Sequence, residues 1–214
     1  MFENQPWGVT HYTVDPGSHV SFQTKKQQVD LITNPHFGRM LFLDGVLQST
    51  SVDEHIYHQA MVSAGMRPDS KKILIAGGSE GAVAREVFKW PVESVTMVDW
   101  DSELVEHLSK KEKMNETVWR DIRLNYICED ILKFCQTNSS SFDTVLIDLL
   151  DVETINDMIF IRNILFSLRV AAKDAVIIVN IGRNRKYAEA FHCEIIEVIV
   201  PSFQEPWYFI KYVY

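Results

Sequence analysis

The sequence predicts an α/β fold in which a doubly wound parallel sheet follows a small N-terminal antiparallel β region. From Ser51 onward, helix-like and strand-like segments alternate. The first strand of that series, Lys72–Ala76, is an unbroken apolar run, which is typical of strands buried on both faces of a parallel sheet. Upstream, short β-like runs are separated by turn sequences such as Asp15-Pro16-Gly17. We therefore expect an N-terminal β region over residues 1–50 and an α/β domain over residues 51–214.

The N-terminal region shows four β-like runs and no helical pattern. Further turns are indicated at Asn34-Pro35 and Asp44-Gly45. The strands between the turns are predicted at Val9–Thr13, His19–Thr24, Gln28–Thr33 and Arg39–Leu43. A small antiparallel sheet and a pair of hairpins both fit this pattern. Because the exposed edges of such a sheet invite pairing with another chain, we expect a homodimer formed through this region.

The α/β domain is predicted to contain five helices and five strands before its closing segment. The helices are predicted at Asp53–Ala64, Gly81–Lys89, Ser102–Lys110, Asp130–Gln136 and Ile155–Leu168. The strands are predicted at Lys72–Ala76, Ser94–Asp99, Ile122–Ile127, Thr144–Asp148 and Ala175–Asn180. A short helix then leads to a hairpin of Glu194–Val200 with Trp207–Val213, and either Ser51 or Asp53 can cap the first helix. Ligands of such a sheet bind at the carboxyl ends of its strands.

Composition and charge limit the partners of this chain. Its 214 residues are 46% hydrophobic, enough for one core, and the formal net charge of −8 argues against nucleic acid or an anionic membrane as a partner. Cys128, Cys135 and Cys193 lack the spacing of a metal site and cannot all pair, so we expect free thiols in a reducing compartment. No stretch approaches a membrane span, and Met1–Trp7 lacks a secretory pattern, so we expect a cytoplasmic protein.

A glycine-rich turn, G-G-S-E-G-A from Gly77 to Ala82, follows the first buried strand. Its small residues allow a ligand to approach the backbone, although tight packing alone also explains them. Asp99 ends the next strand, where a carboxylate can accept hydrogen bonds from both ribose hydroxyls. Asp130 follows the third strand and can meet an adenine amino group; helix capping is the alternative role for either aspartate. Because no diphosphate clamp accompanies them, these residues favour a nucleoside over a dinucleotide.

Two further carboxylates, Asp148 and Asp151, lie at the end of the fourth strand and three residues beyond it. Both are expected to face the same crevice as the nucleoside. An amine arrives protonated in water, so an amine nucleophile needs a carboxylate that holds the ammonium and takes its proton. The alternative is one capping aspartate and one exposed loop aspartate.

The first predicted helix carries two histidines one turn apart, His55 and His58. They raise the question of a metal site, but two nitrogens without a third ligand are a weak indication, and we expect no metal. Tyr57 and His58 fit better as a wall of the nucleotide pocket, between the small sheet and the main domain. Core packing is the alternative role for Tyr57.

The longest ordered match to a known pattern runs from Phe37 to His58. The polyamine aminopropyltransferase family, whose best-known member is spermidine synthase, carries a segment close to F-G-x-x-L-x-L-D-G-x-x-Q-x-T-x-x-D-E-x-x-Y-H, and this chain has FGRMLFLDGVLQSTSVDEHIYH there. Val200–Phe209 also resembles the final hairpin of the family. The resemblance covers most of the chain from Gln27 onward and implies a Rossmann-like sheet of the methyltransferase type.

The resemblance also implies a reaction: a diamine such as putrescine attacks decarboxylated S-adenosylmethionine, takes its aminopropyl group and releases methylthioadenosine, without a metal. The residues it assigns to the nucleoside are Gln27, Asp99 and Asp130, with the backbone at Gly77 and Ile131 nearby. Gln48, Tyr57 and His58 are assigned to the walls of the donor and amine pockets. Glu80 stands where the family has an aspartate that meets the aminopropyl or amine nitrogen. Asp148 matches the proton acceptor, and Asp151 matches the carboxylate that grips the diamine.

The chain departs from the family pattern at two motifs and also lacks much of the region that the family has between Asn180 and the last hairpin. The family's G-G-G-D-G-G is the segment Gly77–Ala82 here, and its D-S-S-D-P is D-L-L-D-V from Asp148 to Val152, followed by a loop that is missing or very short.

Two other functions remain open. One is an S-adenosylmethionine-dependent methyltransferase on the same scaffold, and the other is a non-catalytic relative that binds a nucleoside.

Overall fold

The N-terminal part of the chain forms two antiparallel sheets. The computed structural model describes residues 1–5 and 8–213, so Trp7 and Tyr214, which bound segments considered above, lie outside the described residues. A two-stranded ribbon pairs β1 (Phe2–Gln5) with β2 (Gly8–His11). A four-stranded sheet follows in the order of the chain, with strands β3 (Val20–Gln23), β4 (Gln28–Asn34), β5 (Gly38–Leu43) and β6 (Val46–Thr50).

Two of these strands, β1 and β6, were not predicted. Among the buried residues of β6 only Leu47 is apolar; Ser49 and Thr50 are buried but polar, so the strand lacks an apolar alternation. Their hydroxyls donate to the carboxylates of Glu80 and Asp53, respectively, which lie beyond the sheet. A long-range partner for Ser49 and a nearby one for Thr50 therefore satisfy buried residues that by pattern alone resemble a loop.

The larger sheet has seven strands and confirms the predicted α/β class. Their order is β12-β13-β11-β10-β7-β8-β9. The parallel strands are β7 (Lys72–Gly77), β8 (Ser94–Asp99), β9 (Leu124–Cys128), β10 (Thr144–Asp148) and β11 (Val176–Gly182). The predicted closing hairpin is β12 (Glu194–Ile199) with β13 (Pro206–Val213), and β13 runs antiparallel to both of its neighbours.

Six α-helices are present among the described residues: α1 (Glu54–Gly65), α2 (Ala82–Val87), α3 (Ser102–Glu106), α4 (Ile131–Thr137), α5 (Ile155–Leu168) and α6 (Arg185–Glu189). A π-helical turn, His107–Lys111, continues α3. None of the described helices is long and apolar enough to cross a membrane. Ile73 and Ile75 of β7 pack in one apolar cluster, and Leu74 and Ala76 pack in another, so both faces of the strand are covered.

The predicted capping of α1 by Ser51 or Asp53 is wrong. Asp53 occupies the capping position, but its carboxylate makes no bond to the first turn of the helix. It accepts hydrogen bonds from the Thr50 hydroxyl at 2.7 Å and from the backbone nitrogen and hydroxyl of Ser202 at 2.8 and 2.9 Å. The Ser51 hydroxyl accepts from the backbone nitrogen of Arg39. Tertiary partners thus replace the local cap and tie the tip of the closing hairpin to the start of α1.

The order of the parallel strands places a switch point between β7 and β10. The chain proceeds from β7 to β8 and β9 on one side, and from β10 to β11 on the other. At such a point the connections diverge and leave a crevice beyond the carboxyl ends of the strands, which is where open α/β sheets bind ligands.

Candidate active site

A cleft with a volume of about 450 Å³ opens at this switch point. The carboxyl ends of β7, β8 and β10 form one side, and residues of the four-stranded sheet, such as Leu41 and Leu43, form the other. The structure brings most of the predicted site residues together in its lining, namely Gln27, Gln48, Tyr57, His58, Gly77, Glu80, Asp99, Asp148 and Asp151. Asp130 and Ile131 do not line the cleft.

The ends of β7 and β10 meet at the floor of the cleft. Gly77 pairs in register with Asp148, and its φ of +86° lies in the left-handed region. A Cβ atom at residue 77 would lie 2.0 Å from the carbonyl oxygen of Asp148. Glycine is therefore required at this position for the backbone of the turn to pass the end of β10.

Asp148 is held by Tyr57 of α1, whose hydroxyl donates to Oδ1 over 2.6 Å. Burial raises the pKa of Asp148, and the nearby His58 offsets part of this rise. Burial and the adjacent carboxylate also raise the pKa of Tyr57 well above its ordinary value, so the phenol stays protonated and keeps donating. A recessed carboxylate with a raised pKa is a better proton acceptor than an exposed one.

A chain of charged side chains runs beneath the cleft. Glu80 accepts a hydrogen bond from the Ser49 hydroxyl, and its Oε1 lies 3.9 Å from Nε2 of His58. Nδ1 of His58 lies 2.6 Å from Oε2 of Glu54. Two nitrogens of Arg85 donate hydrogen bonds to the two carboxylate oxygens of Glu54, at 2.8 and 2.9 Å. Burial acts to lower the pKa of His58, but these carboxylates outweigh it and raise that pKa. Burial raises the pKa of Glu80 despite the opposing charge of His58.

The end of β8 carries Asp99, which is 9% exposed and accepts a hydrogen bond from the backbone nitrogen of Asp101 at 2.8 Å. Burial raises the pKa of Asp99 to about 6. The side chain of Asp101 accepts from Nε2 of Gln27 at 3.0 Å and from the Thr24 hydroxyl at 2.7 Å. The loop before β4 is thereby fixed against the end of β8, and Gln27 and Asp99 face the same end of the cleft.

At the other end of the cleft, Oδ1 of Asp151 accepts a hydrogen bond from Nδ2 of Asn180 at 3.0 Å. Burial raises the pKa of Asp151 to about 6, while Asn180 and the charge of Arg183 act to lower it. Asp148 and Asp151 therefore both line this cleft, at and just beyond the end of β10.

Asp130 and Ile131 lie one strand further out, at the start of α4. Oδ1 of Asp130 accepts from the backbone nitrogens of Leu132 and Lys133 at 2.9 and 3.1 Å, so this aspartate caps the helix. Ile131 is 4% exposed and packs in the apolar cluster on that face of the sheet. The capping alternative considered for Asp130 is the one seen in the structure.

The cleft is strongly acidic. Its acidic lining residues are Asp44, Glu80, Asp99, Asp148, Asp151, Glu153 and Asp157. No lysine or arginine is among its lining residues in the described part of the chain. Within residues 1–5 and 8–213, no group of three or more His, Cys, Asp or Glu side chains is arranged to hold a metal ion. The side chain of His55 is exposed whereas that of His58 is buried, so the two histidines do not form a common site. Such a lining suits a cationic ligand.

Comparison with known sequences identifies the family of this chain. The profile of the spermine/spermidine synthase domain matches residues 50–212, and that of the spermidine synthase tetramerisation domain matches residues 20–51. The chain belongs to the spermine/spermidine synthase family. This confirms the resemblance inferred from the segment Phe37–His58.

Two relatives show how far the similarity extends. Polyamine aminopropyltransferase 2 of Caldanaerobacter subterraneus subsp. tengcongensis is 30% identical over 212 residues, which cover 89% of this chain and 70% of the relative. The polyamine aminopropyltransferase of Saccharolobus solfataricus is 37% identical over 134 residues, which cover 60% of this chain but only 44% of the relative. The chain thus spans less than half of the length of that relative.

Solved spermidine synthases share the fold. The enzyme from Thermotoga maritima superposes with a TM-score of 0.83 at 22% identity, covering 99% of this chain and 78% of that one. A spermidine synthase in complex with the transition-state analogue AdoDATO superposes with a TM-score of 0.86, also at 22% identity, covering 99% and 79%. The Rossmann-like fold with its N-terminal β region is confirmed.

The residues of this cleft that the sequence did not predict include Trp100, Asn180 and Trp207, besides the acidic Glu153 and Asp157. Trp100 is 55% exposed beside Asp99, with Nζ of Lys26 4.4 Å from its ring centroid. Trp100 directly follows Asp99 at the end of β8, and this position is the sequence signal that could have identified it. Asn180 lies near the end of the buried strand β11, as Asp99 and Asp148 lie at the ends of β8 and β10. Because an amide carries no charge, its position alone does not predict a role in binding a cation.

Proposed function

We propose that this chain is an aminopropyltransferase that transfers the aminopropyl group of decarboxylated S-adenosylmethionine to a diamine such as putrescine and releases methylthioadenosine. The observation that carries the proposal is the charge of the cleft, whose charged lining side chains are all carboxylates apart from His58. Both substrates are cations. Membership of the spermine/spermidine synthase family supports the same activity.

The acidic cleft also favours the decarboxylated donor over S-adenosylmethionine. The two donors differ by one carboxylate, at the end of the chain that would approach Glu80 and Asp148. Two like charges 4 Å apart repel by roughly 4 kcal/mol at an effective dielectric constant of about 20. No lysine or arginine is among the cleft-lining residues that the structure describes, so His58 is the one lining side chain there that can offset part of this repulsion. The charge therefore supports aminopropyl transfer over the alternative of methyl transfer.

The chemical step is an in-line displacement. The acceptor ammonium gives a proton to Asp148, and the freed nitrogen lone pair attacks the aminopropyl carbon bonded to the sulfonium. The carbon–sulfur bond breaks, its electron pair stays on sulfur, and neutral methylthioadenosine leaves. Tyr57 holds Asp148 in place at 2.6 Å, and Asp151 binds an ammonium of the acceptor. Orientation of the two substrates and neutralisation of their charges supply most of the acceleration.

The nucleoside lies at the end of the cleft opposite the acceptor amine. Asp99 accepts hydrogen bonds from the ribose hydroxyls, beside Gln27 and the backbone at Gly77. Asp130 and the backbone of Ile131 lie one strand beyond the cleft lining, so the adenine would extend past the end of β8 toward β9 for its amino group to meet Oδ2 of Asp130, the oxygen that the two capping bonds do not use.

The remaining donor and amine contacts come from the seam between the two sheets. Glu80 meets the aminopropyl nitrogen, with His58 beside it at 3.9 Å. Gln48, which is exposed on β6, and Tyr57 complete the walls.

Incubation with decarboxylated S-adenosylmethionine and putrescine, followed by chromatography of the nucleoside and amine products, tests the proposal. We expect methylthioadenosine and spermidine in equal amounts. A panel of other diamines and polyamines extends the test, and release of no methylthioadenosine with any of them would overturn it.

Calorimetry separates the two donors. We expect the decarboxylated form to bind more tightly than S-adenosylmethionine, because only the latter places a carboxylate in the acidic cleft. The reverse order would favour a methyltransferase. Binding of both without turnover would favour the non-catalytic relative.

We also propose that two copies associate through the N-terminal region of residues 1–50, with residues 51–214 as the catalytic unit. The match of residues 20–51 to a tetramerisation domain supports association, and light scattering distinguishes a homodimer from a tetramer.

A cytoplasmic location fits the three free thiols, of which Cys128 is exposed.

A further inference from the structure

Asn180 uses both ends of its side-chain amide at the amine end of the cleft. Nδ2 donates to Oδ1 of Asp151 at 3.0 Å and to the carbonyl oxygen of Leu150 at 3.2 Å. Oδ1 accepts from the backbone nitrogen of Gly182 at 3.0 Å and from Nε1 of Trp207 at 2.8 Å. The amide orientation is fully determined, because both groups that face Oδ1 are donors and both that face Nδ2 are acceptors.

The backbone next to Asn180 is shaped to receive Asp151. Gly182 has a φ of +84°, and a Cβ atom there would lie 2.8 Å from Cβ of Asp151. The backbone nitrogen of Val152 also donates to the carbonyl oxygen of Ile181 at 2.9 Å. The loop that carries Asp151 therefore packs directly on the end of β11, and Asn180, which is 5% exposed, connects the two.

We propose that Asn180 is a positioning residue, which holds the carboxylate of Asp151 toward the acceptor amine and thereby sets the affinity for the acceptor but not for the donor. This inference rests on the proposed function. Trp207 anchors the amide from the opposite side, since its indole N–H leaves Asn180 one orientation only. Of the four hydrogen-bond partners of Asn180, Asp151 is the one proposed to bind the acceptor, so Asn180 acts on the substrate through that carboxylate.

The charges around Asp151 give the proposal a second readout. Burial raises the pKa of Asp151 to about 6, the hydrogen bond from Asn180 and the charge of Arg183 act to lower it, and Glu153 and Asp148 act to raise it. The phenol of Tyr57 also faces this group and stays neutral. Removing Asn180 removes one influence that favours the charged carboxylate, so the pKa of Asp151 rises further. Because the charged form of Asp151 binds the ammonium, lowering the pH then abolishes acceptor binding at a higher pH than in the wild type.

The test is a double-mutant cycle that combines Asn180→Ala with Asp151→Asn, assayed by methylthioadenosine release. Hydrogen bonds to charged groups contribute about 1.5–3 kcal/mol, so Asn180→Ala should raise the acceptor KM at least roughly tenfold, with the donor KM unchanged. The acid limb of acceptor kcat/KM should move to higher pH. In the Asp151→Asn background, Asn180→Ala should have no further effect on the acceptor KM. An equal effect in both backgrounds, or an equal rise in the donor KM, overturns the proposal.

A milder variant and a direct titration complete the test. Trp207→Phe keeps an aromatic ring but removes the donor to Asn180, and we expect a smaller rise in the acceptor KM in the same direction; no rise contradicts the anchoring role. If the wild-type chain releases no methylthioadenosine with any amine, the proposed function fails, and carbon NMR titration of Asp151 decides the positioning claim by itself. The pKa of Asp151 should then be higher in Asn180→Ala than in the wild type, and an unchanged pKa overturns the claim.

Discussion

The backbone of Gly77 passes so close to Asp148 that a side chain at residue 77 would collide with the carbonyl oxygen of the aspartate, at 2.0 Å. The glycine turn and the proposed proton acceptor are thus one structural unit. A side chain added at the turn would push against the backbone of Asp148.

We expect Gly77→Ala to lower the free energy of unfolding by about 3 kcal/mol or more, because the substitution combines a positive φ with a backbone collision. Gly17→Ala is the matched control, since Gly17 has a φ of +77° and no atom within 4 Å of the position of its Cβ. The control should lose only about 1 kcal/mol, which is the conformational part of the effect. Urea denaturation measures both, and equal losses would show that the collision has no consequence.

Asp148→Asn should abolish proton acceptance while keeping the size of the side chain and an oxygen for the Tyr57 hydroxyl. We expect kcat to fall by about 100-fold to 10,000-fold, with donor binding retained. Methylthioadenosine release and donor calorimetry measure the two quantities. Asp69→Asn, at a carboxylate that is 81% exposed, serves as the control and should leave kcat unchanged. Wild-type turnover in Asp148→Asn would exclude the assigned role.

Donor binding should depend on pH through Asp99, whose pKa is raised to about 6 by burial. The charged carboxylate accepts the ribose hydroxyls, so nucleoside affinity should fall as the pH drops below about 6. Calorimetry with methylthioadenosine between about pH 5 and about pH 8 follows this change. Asp99→Asn should bind more weakly and show a flatter pH profile; a variant with an unchanged profile would assign the titration to another group.

Glu54→Gln should destabilise the fold in a pH-dependent way. Burial acts to raise the pKa of Glu54, but His58 and Arg85 outweigh it and lower that pKa from 4.5 to about 2. A lowered folded-state pKa stabilises above the unfolded value, so the contribution is present above about pH 4.5 and is lost as the pH falls toward 2. We expect Glu54→Gln to lower the free energy of unfolding by about 2 kcal/mol at neutral pH.

The difference between Glu54→Gln and wild type should vanish in acid, as measured by urea denaturation across this range. Glu106→Gln removes an exposed pair with Lys110 and should change stability little at any pH. A Glu54→Gln defect that persists unchanged at the lowest pH would mean that packing, not charge, is responsible.

Most of the large sheet followed from local pattern. Helix α5 was predicted with its observed bounds, and strands β7, β8 and β10 with at most one residue of difference. Each carries an apolar or amphipathic period that a short window of sequence reveals. Strand β6 was not predicted because two of its three buried residues, Ser49 and Thr50, are polar.

The chain order of strands and helices is enough to bring Asp99 and Asp148 to one edge, because parallel strands with helical crossovers align their carboxyl ends. Those placements needed no knowledge of side-chain contacts, and both aspartates line the cleft. The glycine turn, the acidic character of the ligand site and the family followed from residues adjacent in sequence.

Which groups each side chain meets depended on the folded chain. Tyr57 reaches Asp148 across 91 residues, and Arg85 reaches Glu54 across 31. Asp53 and Asp130 occupy the same kind of position before a helix, yet only Asp130 caps it. Local periodicity reports the conformation of the backbone, whereas a hydrogen-bond partner is selected by packing between segments far apart, and a single sequence carries no local trace of that choice.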